Sequence, residues 1–174
     1  MIIIASFFFV SALSAQEKIK SKETKEEKAA RIESEYQSIA QLIDNKQFIL
    51  EADYSRDQHG LSIPVTSSLN FIMIDSTSAV IQTGSNYRIG YNGVGGITAE
   101  GRIDNWKVVK DNKRKSFYIS MNVSTKLGFY DIMIDVTASG NATSTISGTT
   151  PGKLIYQGHL VSLPESTTYK GSSI

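Results

Sequence analysis

The chain has 174 residues, with 18 Lys and Arg against 17 Asp and Glu, and no cysteine. A charge balance this close to neutral, with no basic cluster, argues against a nucleic-acid partner. The lack of thiols removes disulfide staples and also the acylated cysteine that a bacterial lipoprotein needs.

The opening stretch MIIIASFFFVSALSAQE joins an apolar block, Ile2 to Leu13, to small residues and then to charged sequence. This is the layout of an export signal covering residues 1–15. Cleavage follows Ala15, or Ser14 if Ala12 is to sit at the third position back. No Lys or Arg precedes the block, a departure from the usual layout. The run is shorter than the roughly 20 apolar residues of a membrane span. The expectation is a soluble, unanchored periplasmic or secreted protein with no transmembrane segment after cleavage, of a size that suits one self-sufficient core.

Residues 16–45 begin with QEKIKSKETKEEKAAR, whose charges alternate in sign and place Glu27 four residues before Arg31. That spacing suits a solvated helix. Ile32, Tyr36, Ile39 and Ile43 then recur at helical intervals. The pattern predicts a helix over 23–44 whose second half docks on a sheet.

From residue 46 to 174 the period becomes two. QFILEADYS alternates Phe48, Leu50, Ala52 and Tyr54 against Gln47, Glu51 and Asp53, as a strand with one wet face does. LNFIMID and SAVIQT read as a hairpin about STS, and RIDNWKVVK and KSFYISMNV as another about DNKR. GFYDIMIDVTA, NATSTIS and GKLIYQGHLVSL bring the set to about eight strands. Pro64, Pro151 and Pro164 fall between these runs, as a sheet requires. Short connections favour an antiparallel meander, closed as a barrel or folded as a sandwich. A flattened, partly open barrel with the helix over one opening or edge buries both the helix stripe and a strand edge.

The stretch GYNGVGGITAEG, residues 90–101, holds five of the 13 glycines. Gly93 and Gly95 begin a dinucleotide fingerprint, but Thr98 stands at its third glycine and a strand follows instead of a helix. No Lys follows in phosphate-loop position. Asn92-Gly93 is a strong turn dipeptide, and Gly95-Gly96 allows positive φ or close backbone approach. The second use of such a run is an anion-holding nest of backbone N–H groups. That would make Tyr87, Arg88, Tyr91, Asn92, Gly93, Gly95 and Gly96 the candidate ligand-binding surface.

The stretches NFIMID, AVIQTGSN, GYNGVGGITAEGRI, YDIMIDVTASGNATSTISG and LIYQGHLVSLPES, in this order, resemble an exported Bacteroidetes family catalogued as domain of unknown function 4251. The resemblance runs from about Lys46 to Gly171. It implies secretion and a single mostly β domain, and it carries no activity or catalytic residue with it.

No metal or other cofactor is expected: His59 and His159 lack any H-x-H or H-x-x-x-H spacing, and a zinc site wants three or four ligands. No G-x-S-x-G nucleophile turn occurs. Asp131 and Asp135 lie about 13 Å apart on one strand face, beyond either glycosidase separation, while Glu51 and Asp53 lie about 7 Å apart, within the inverting window. Alternating acids on a strand are ordinarily its solvated face. Trp106, Tyr118 and Tyr156 are candidates for cavity walls, against their ordinary use in packing. DST at Asp75–Thr77 fits a short O-glycosylation pattern with Ser76 exposed in a turn.

The functional expectation is a non-catalytic binding module for a small apolar or glycan ligand. Its cavity would be lined by Phe48, Leu50, Phe117, Tyr130 and Tyr156, with the 87–96 loop at the rim. Two alternatives stand beside it. One is an envelope glycan or lipid hydrolase using Glu51, Asp53, Asp131 and Asp135. The other is a structural or assembly partner recognised through an apolar patch at the helix stripe.

Overall fold

The computed structural model of the protein describes residues 23–86, 90–149 and 152–173. Residues 1–15, read above as an export signal, and Tyr87, Arg88 and Pro151 lie outside the described residues. One helix, α1 (Lys25–Asn45), precedes nine strands: β1 (Gln47–Arg56), β2 (Ser62–Pro64), β3 (Phe71–Asp75), β4 (Ser78–Thr83), β5 (Ile97–Asp111), β6 (Ser116–Thr125), β7 (Gly128–Thr137), β8 (Asn141–Gly148) and β9 (Lys153–Ser162). All neighbours are antiparallel, and β9 pairs back onto β1 from Phe48↔Ser162 to Arg56↔Ile155. The predicted meander therefore closes fully into an eight-stranded barrel, with no free edge on the ring. The short strand β2 is an addition that pairs only with the end of β1. Three residues ending in Pro64 carry no alternation to read, and this proline sits on an edge strand instead of in a loop.

α1 starts with a capping box: Thr24 Oγ1 accepts from Glu27 N–H, and the Glu27 carboxylate accepts from Thr24 N–H. Such a cap contributes about 1 kcal/mol. Glu27 is thus occupied at the cap, and Arg31 pairs instead with Glu23 and Glu35. The first turns are exposed, while Tyr36, Ile39, Ala40 and Ile43 are buried against the barrel. Tyr36 stacks on Phe117 with ring centroids 4.7 Å apart and donates to Asn112 Oδ1 in the β5–β6 turn. Ion pairs Lys110–Asp44 and Lys115–Glu33 fix the same end. The helix is the lid on one opening of the barrel.

Inside, Phe48, Leu50, Ile72, Ile74, Phe117, Ile119, Ile132, Ile134 and Tyr156 are essentially inaccessible. Tyr156 donates to the carbonyl of Gln82 in β4, and burial pushes its phenol above the ordinary tyrosine range. Two register shifts, at Ala52/Tyr54 and Asp104/Lys107, bend the wall. The first places Tyr54 opposite Gln157 and leaves it half exposed, although simple alternation assigned it inward.

The outer face of β1 is wet at Gln47 and Asp53, as alternation predicts, but Ile49 and Glu51 between them are buried. Ile49, with Phe71 and Val80, forms a second apolar cluster outside the barrel, joined by Met73, Val161 and Leu163. A 3₁₀ turn, Leu163–Glu165, packs Leu163 on this patch and leads into a C-terminal segment that bonds Glu51 and Gln82. Glu51 is buried there, accepting from Ser166 Oγ at 2.6 Å and Thr167 N–H at 3.3 Å. The barrel wall is thus double-sided along this sector.

Candidate functional site

At the end opposite the helix the barrel is open, and its inward side chains leave a cavity of about 270 Å³. Register explains its walls. Ile81 faces Ala99 and Thr83 faces Ile97 across β4–β5, while Tyr130 faces Gly148 across β7–β8 and Ile146 faces Leu154 across β8–β9. All eight line the space, joined at the rim by Gly152 and Lys153. The small residues Ala99 and Gly148 make the room: they stand where larger side chains would meet in the middle. An eight-stranded barrel is just wide enough to be filled by its side chains or to hold one small ligand. Here it does the first near the helix and leaves space for the second at the mouth. One inward layer deeper on β8, Ser144 is fully buried, and its hydroxyl has no partner among the described residues. A buried hydroxyl left so costs about 1–3 kcal/mol.

The cavity differs from the one the sequence suggested. Phe48, Leu50, Phe117 and Tyr156 are packed in the solid part of the core, and only Tyr130 of the expected five reaches the open space. Large aromatics fill a small barrel; smaller side chains leave the gap. Ile146 and Leu154 were readable as strand residues, whereas Ile97 was read within the connection before Arg102 and the structure starts β5 there; which layer remains unfilled depends on summed volumes across several strands.

The glycine-rich stretch sits beside this mouth. Its second half is the start of β5, and its first half is a loop folded around Asn92. Asn92 is 1 % exposed. Its amide donates to the Thr83 carbonyl at 3.1 Å and to Thr98 Oγ1 at 3.0 Å, while its Oδ1 accepts from Val94 and Gly96 N–H. Two backbone N–H groups of this loop, those of Val94 and Gly96, are thus taken by its own side chain. Gly93 and Gly95 have positive φ, and a Cβ on Gly96 would lie 2.2 Å from the Thr83 carbonyl oxygen. Turn geometry and close approach account for these glycines. Tyr91 stands out into solvent at 85 % exposure, with Ile97 at the cavity wall.

The same loop holds the C-terminal segment. Thr98 Oγ1 and Gly171 N–H both donate to Gln82 Oε1, Gln82 Nε2 donates to the carbonyls of Leu69 and Tyr169, and Ser172 N–H reaches the Asn92 carbonyl. Lys170 and Ser173 bond Glu100, whose carboxyl they hold below the usual carboxylate range. Sequence reasoning missed this clamp because its polar residues are separated by up to 89 positions and follow no period.

The four carboxylates proposed for hydrolysis do not meet in one cleft. The His159 ring stands between Glu51 and Asp53, with Nδ1 3.3 Å from Asp53 Oδ2 and Nε2 3.9 Å from Glu51 Oε2. Asp131 bonds Asn122. Asp135 lines a separate groove of about 590 Å³ on the outer sheet face, with Tyr118, Asn141, Thr143 and Gln157. No group of three or more His, Asp or Glu suited to a metal occurs among the described residues. Ser76 is exposed in the β3–β4 turn with φ 56°, hydrogen-bonded to Asp75. No helix among the described residues is long and apolar enough to cross a membrane.

These features define a helix-capped, eight-stranded antiparallel barrel with one open, partly apolar mouth. The chain belongs to the family described as Domain of unknown function (DUF4251), whose model matches residues 30–160. It is similar to a DUF4251 family protein from Bacteroides eggerthii DSM 20697 of known crystal structure, with 27 % identity and a TM-score of 0.64 over 76 % of this chain and 91 % of that one. No curated protein matches the chain.

Proposed function

We propose that the protein is a non-catalytic binding module whose open barrel end takes a small apolar molecule or the alkyl end of an amphiphile. The observation that carries this reading is the unfilled layer between Ile81, Ala99, Ile146 and Leu154 at an end the helix does not cover. Its volume equals about nine waters' share of the liquid, room for a chain of about eight carbons. Burying eight methylenes yields about 6 kcal/mol before the cost of immobilisation, so affinities weaker than about 10 µM are expected. Ligand pockets that take drug-sized molecules are usually larger, about 300–1,000 Å³, which argues for a small occupant.

Octanoate titrated into protein labelled at its methyl groups is the direct test. Methyl resonances of Ile81, Ile97, Ala99, Ile146 and Leu154 are expected to move together and saturably. Ala99→Leu, which fills the space, is expected to weaken binding by tenfold or more while the fold persists. No saturable shift, or shifts unaffected by Ala99→Leu, would remove the reading.

A glycan occupant attaches to a different place. The outer groove offers a tyrosine face at Tyr118 beside the carboxylate and amides of Asp135, Asn141 and Gln157, side chains that can bond paired hydroxyls. This second reading is tested by the same labelled protein with oligosaccharides, where shifts would fall on Tyr118 and Gln157.

A further inference from the structure

Five of the large apolar side chains with high exposure gather at the open end of the barrel. Tyr91 is 85 % exposed, Phe129 69 %, Leu61 67 %, Ile97 45 % and Leu127 38 %. The topology brings them to one rim. Gly101 pairs with Thr125, setting the β6–β7 turn and its Leu127 beside the start of β5, where Ile97 and the Tyr91 loop lie. Phe129 N–H bonds Thr149 Oγ1, which places that turn against the β8–β9 turn. Gln58 approaches Gly152, so the loop carrying Leu61 closes the circuit. Single exposed apolar residues are ordinary on a protein surface; a ring of them around a cavity mouth marks an interaction site.

Charge identifies the partner. Lys126 and Lys153 stand exposed at the same rim, and neither has an ion pair among the described residues. Of the carboxylates nearby, Glu100 is paired with Lys170 and also bonded by Ser173, while Asp131 and Asp57 keep their charge and bond the neutral amide of Asn122 and the N–H groups of His59 and Leu61. Apolar tips that can enter the boundary of a bilayer, flanked by unpaired cations, match a surface with anionic headgroups over hydrocarbon.

We infer that the open end of the barrel docks reversibly on an anionic lipid surface, with Tyr91, Leu127 and Phe129 entering the interface and Lys126 and Lys153 facing headgroups. This rests on the binding-module reading, since docking in this orientation sets the cavity mouth against the source of alkyl chains. In this orientation the barrel rests on the membrane surface by its rim.

The test is co-sedimentation of residues 16–174 with vesicles of phosphatidylcholine alone and of phosphatidylcholine mixed with phosphatidylglycerol, at low and high salt. Binding is expected to the mixed vesicles and to fall with salt. Leu127→Ser with Phe129→Ser is expected to weaken it tenfold or more, and Lys126→Gln with Lys153→Gln by roughly 10- to 30-fold. Circular dichroism melts confirm that these surface variants stay folded. Absence of wild-type binding to mixed vesicles at low salt overturns the inference, as does binding that both variant pairs leave unchanged. Dimerisation in solution that Phe129→Ser abolishes, without vesicle binding, also overturns it and makes the rim a self-interface. The octanoate titration is vesicle-free, so failure of the cavity and failure of the docking surface are read separately.

Discussion

Replacing Gln82 with Ala is expected to lower stability by about 2–4 kcal/mol and to release the C-terminal segment from the barrel wall. Gln82 is wholly buried and makes four hydrogen bonds with its side-chain amide, to the Leu69 and Tyr169 carbonyls, Thr98 Oγ1 and Gly171 N–H. An alanine leaves all four partners in a space closed to bulk water. The least costly relief is for residues 169–172 to leave and find water. Urea denaturation measures the first effect, and amide exchange of Tyr169 to Ser172 the second. Lys170→Ala, which removes only a half-exposed ion pair with Glu100, is expected to cost less than about 1 kcal/mol. Equal effects of the two substitutions would show that the buried amide is not the anchor.

Gly158→Ala is expected to cost about 3 kcal/mol or more, or to prevent folding. A Cβ at this position would lie 1.8 Å from the Glu51 carbonyl oxygen and 2.9 Å from Ala52 Cα. Both are backbone atoms at the β1–β9 seam, beside the register shift that bends β1. They cannot rotate aside, so the strands that close the ring must part, and overpacking in a close-packed wall is felt throughout it. Gly93→Ala provides the contrast: nothing lies within 4 Å of the added carbon, but φ is +77°. Its penalty is conformational only, about 1 kcal/mol. Denaturation midpoints of the two variants therefore separate steric closure from backbone preference. A Gly158→Ala protein as stable as the parent would mean that the seam is not packed as described.

Most of the barrel was legible because its inner face obeys one rule. Phe117, Ile119, Met121 and Val123, or Ile132, Ile134 and Val136, are buried at every second position, and the same alternation is plain in the sequence. The helix was legible for a like reason, through Ile32, Tyr36, Ile39 and Ile43. What escaped was set by partners distant in the chain. Glu51 looked like part of the wet side of β1 because nothing near it announces the segment that covers it. Tyr54 was misassigned because a register shift has no letter of its own. Asn92 read as a turn residue and Gln82 only as part of a strand, and their burial makes sense only once the backbone of residues 169–172 is in place. Of the candidate site, the turn character of Asn92-Gly93 was readable, while the cavity was not: a missing layer is an absence of volume, and no single residue encodes it.

The claim at the centre is that the mouth between Ile81, Ala99, Ile146 and Leu154 is an accessible apolar site. Xenon entering crystals of the protein under pressure reports such spaces directly, because apolar cavities take it up. Xenon density within that mouth, lost in Ala99→Leu crystals, is the expected result. Crystals that take up xenon only elsewhere, or nowhere, would contradict the account.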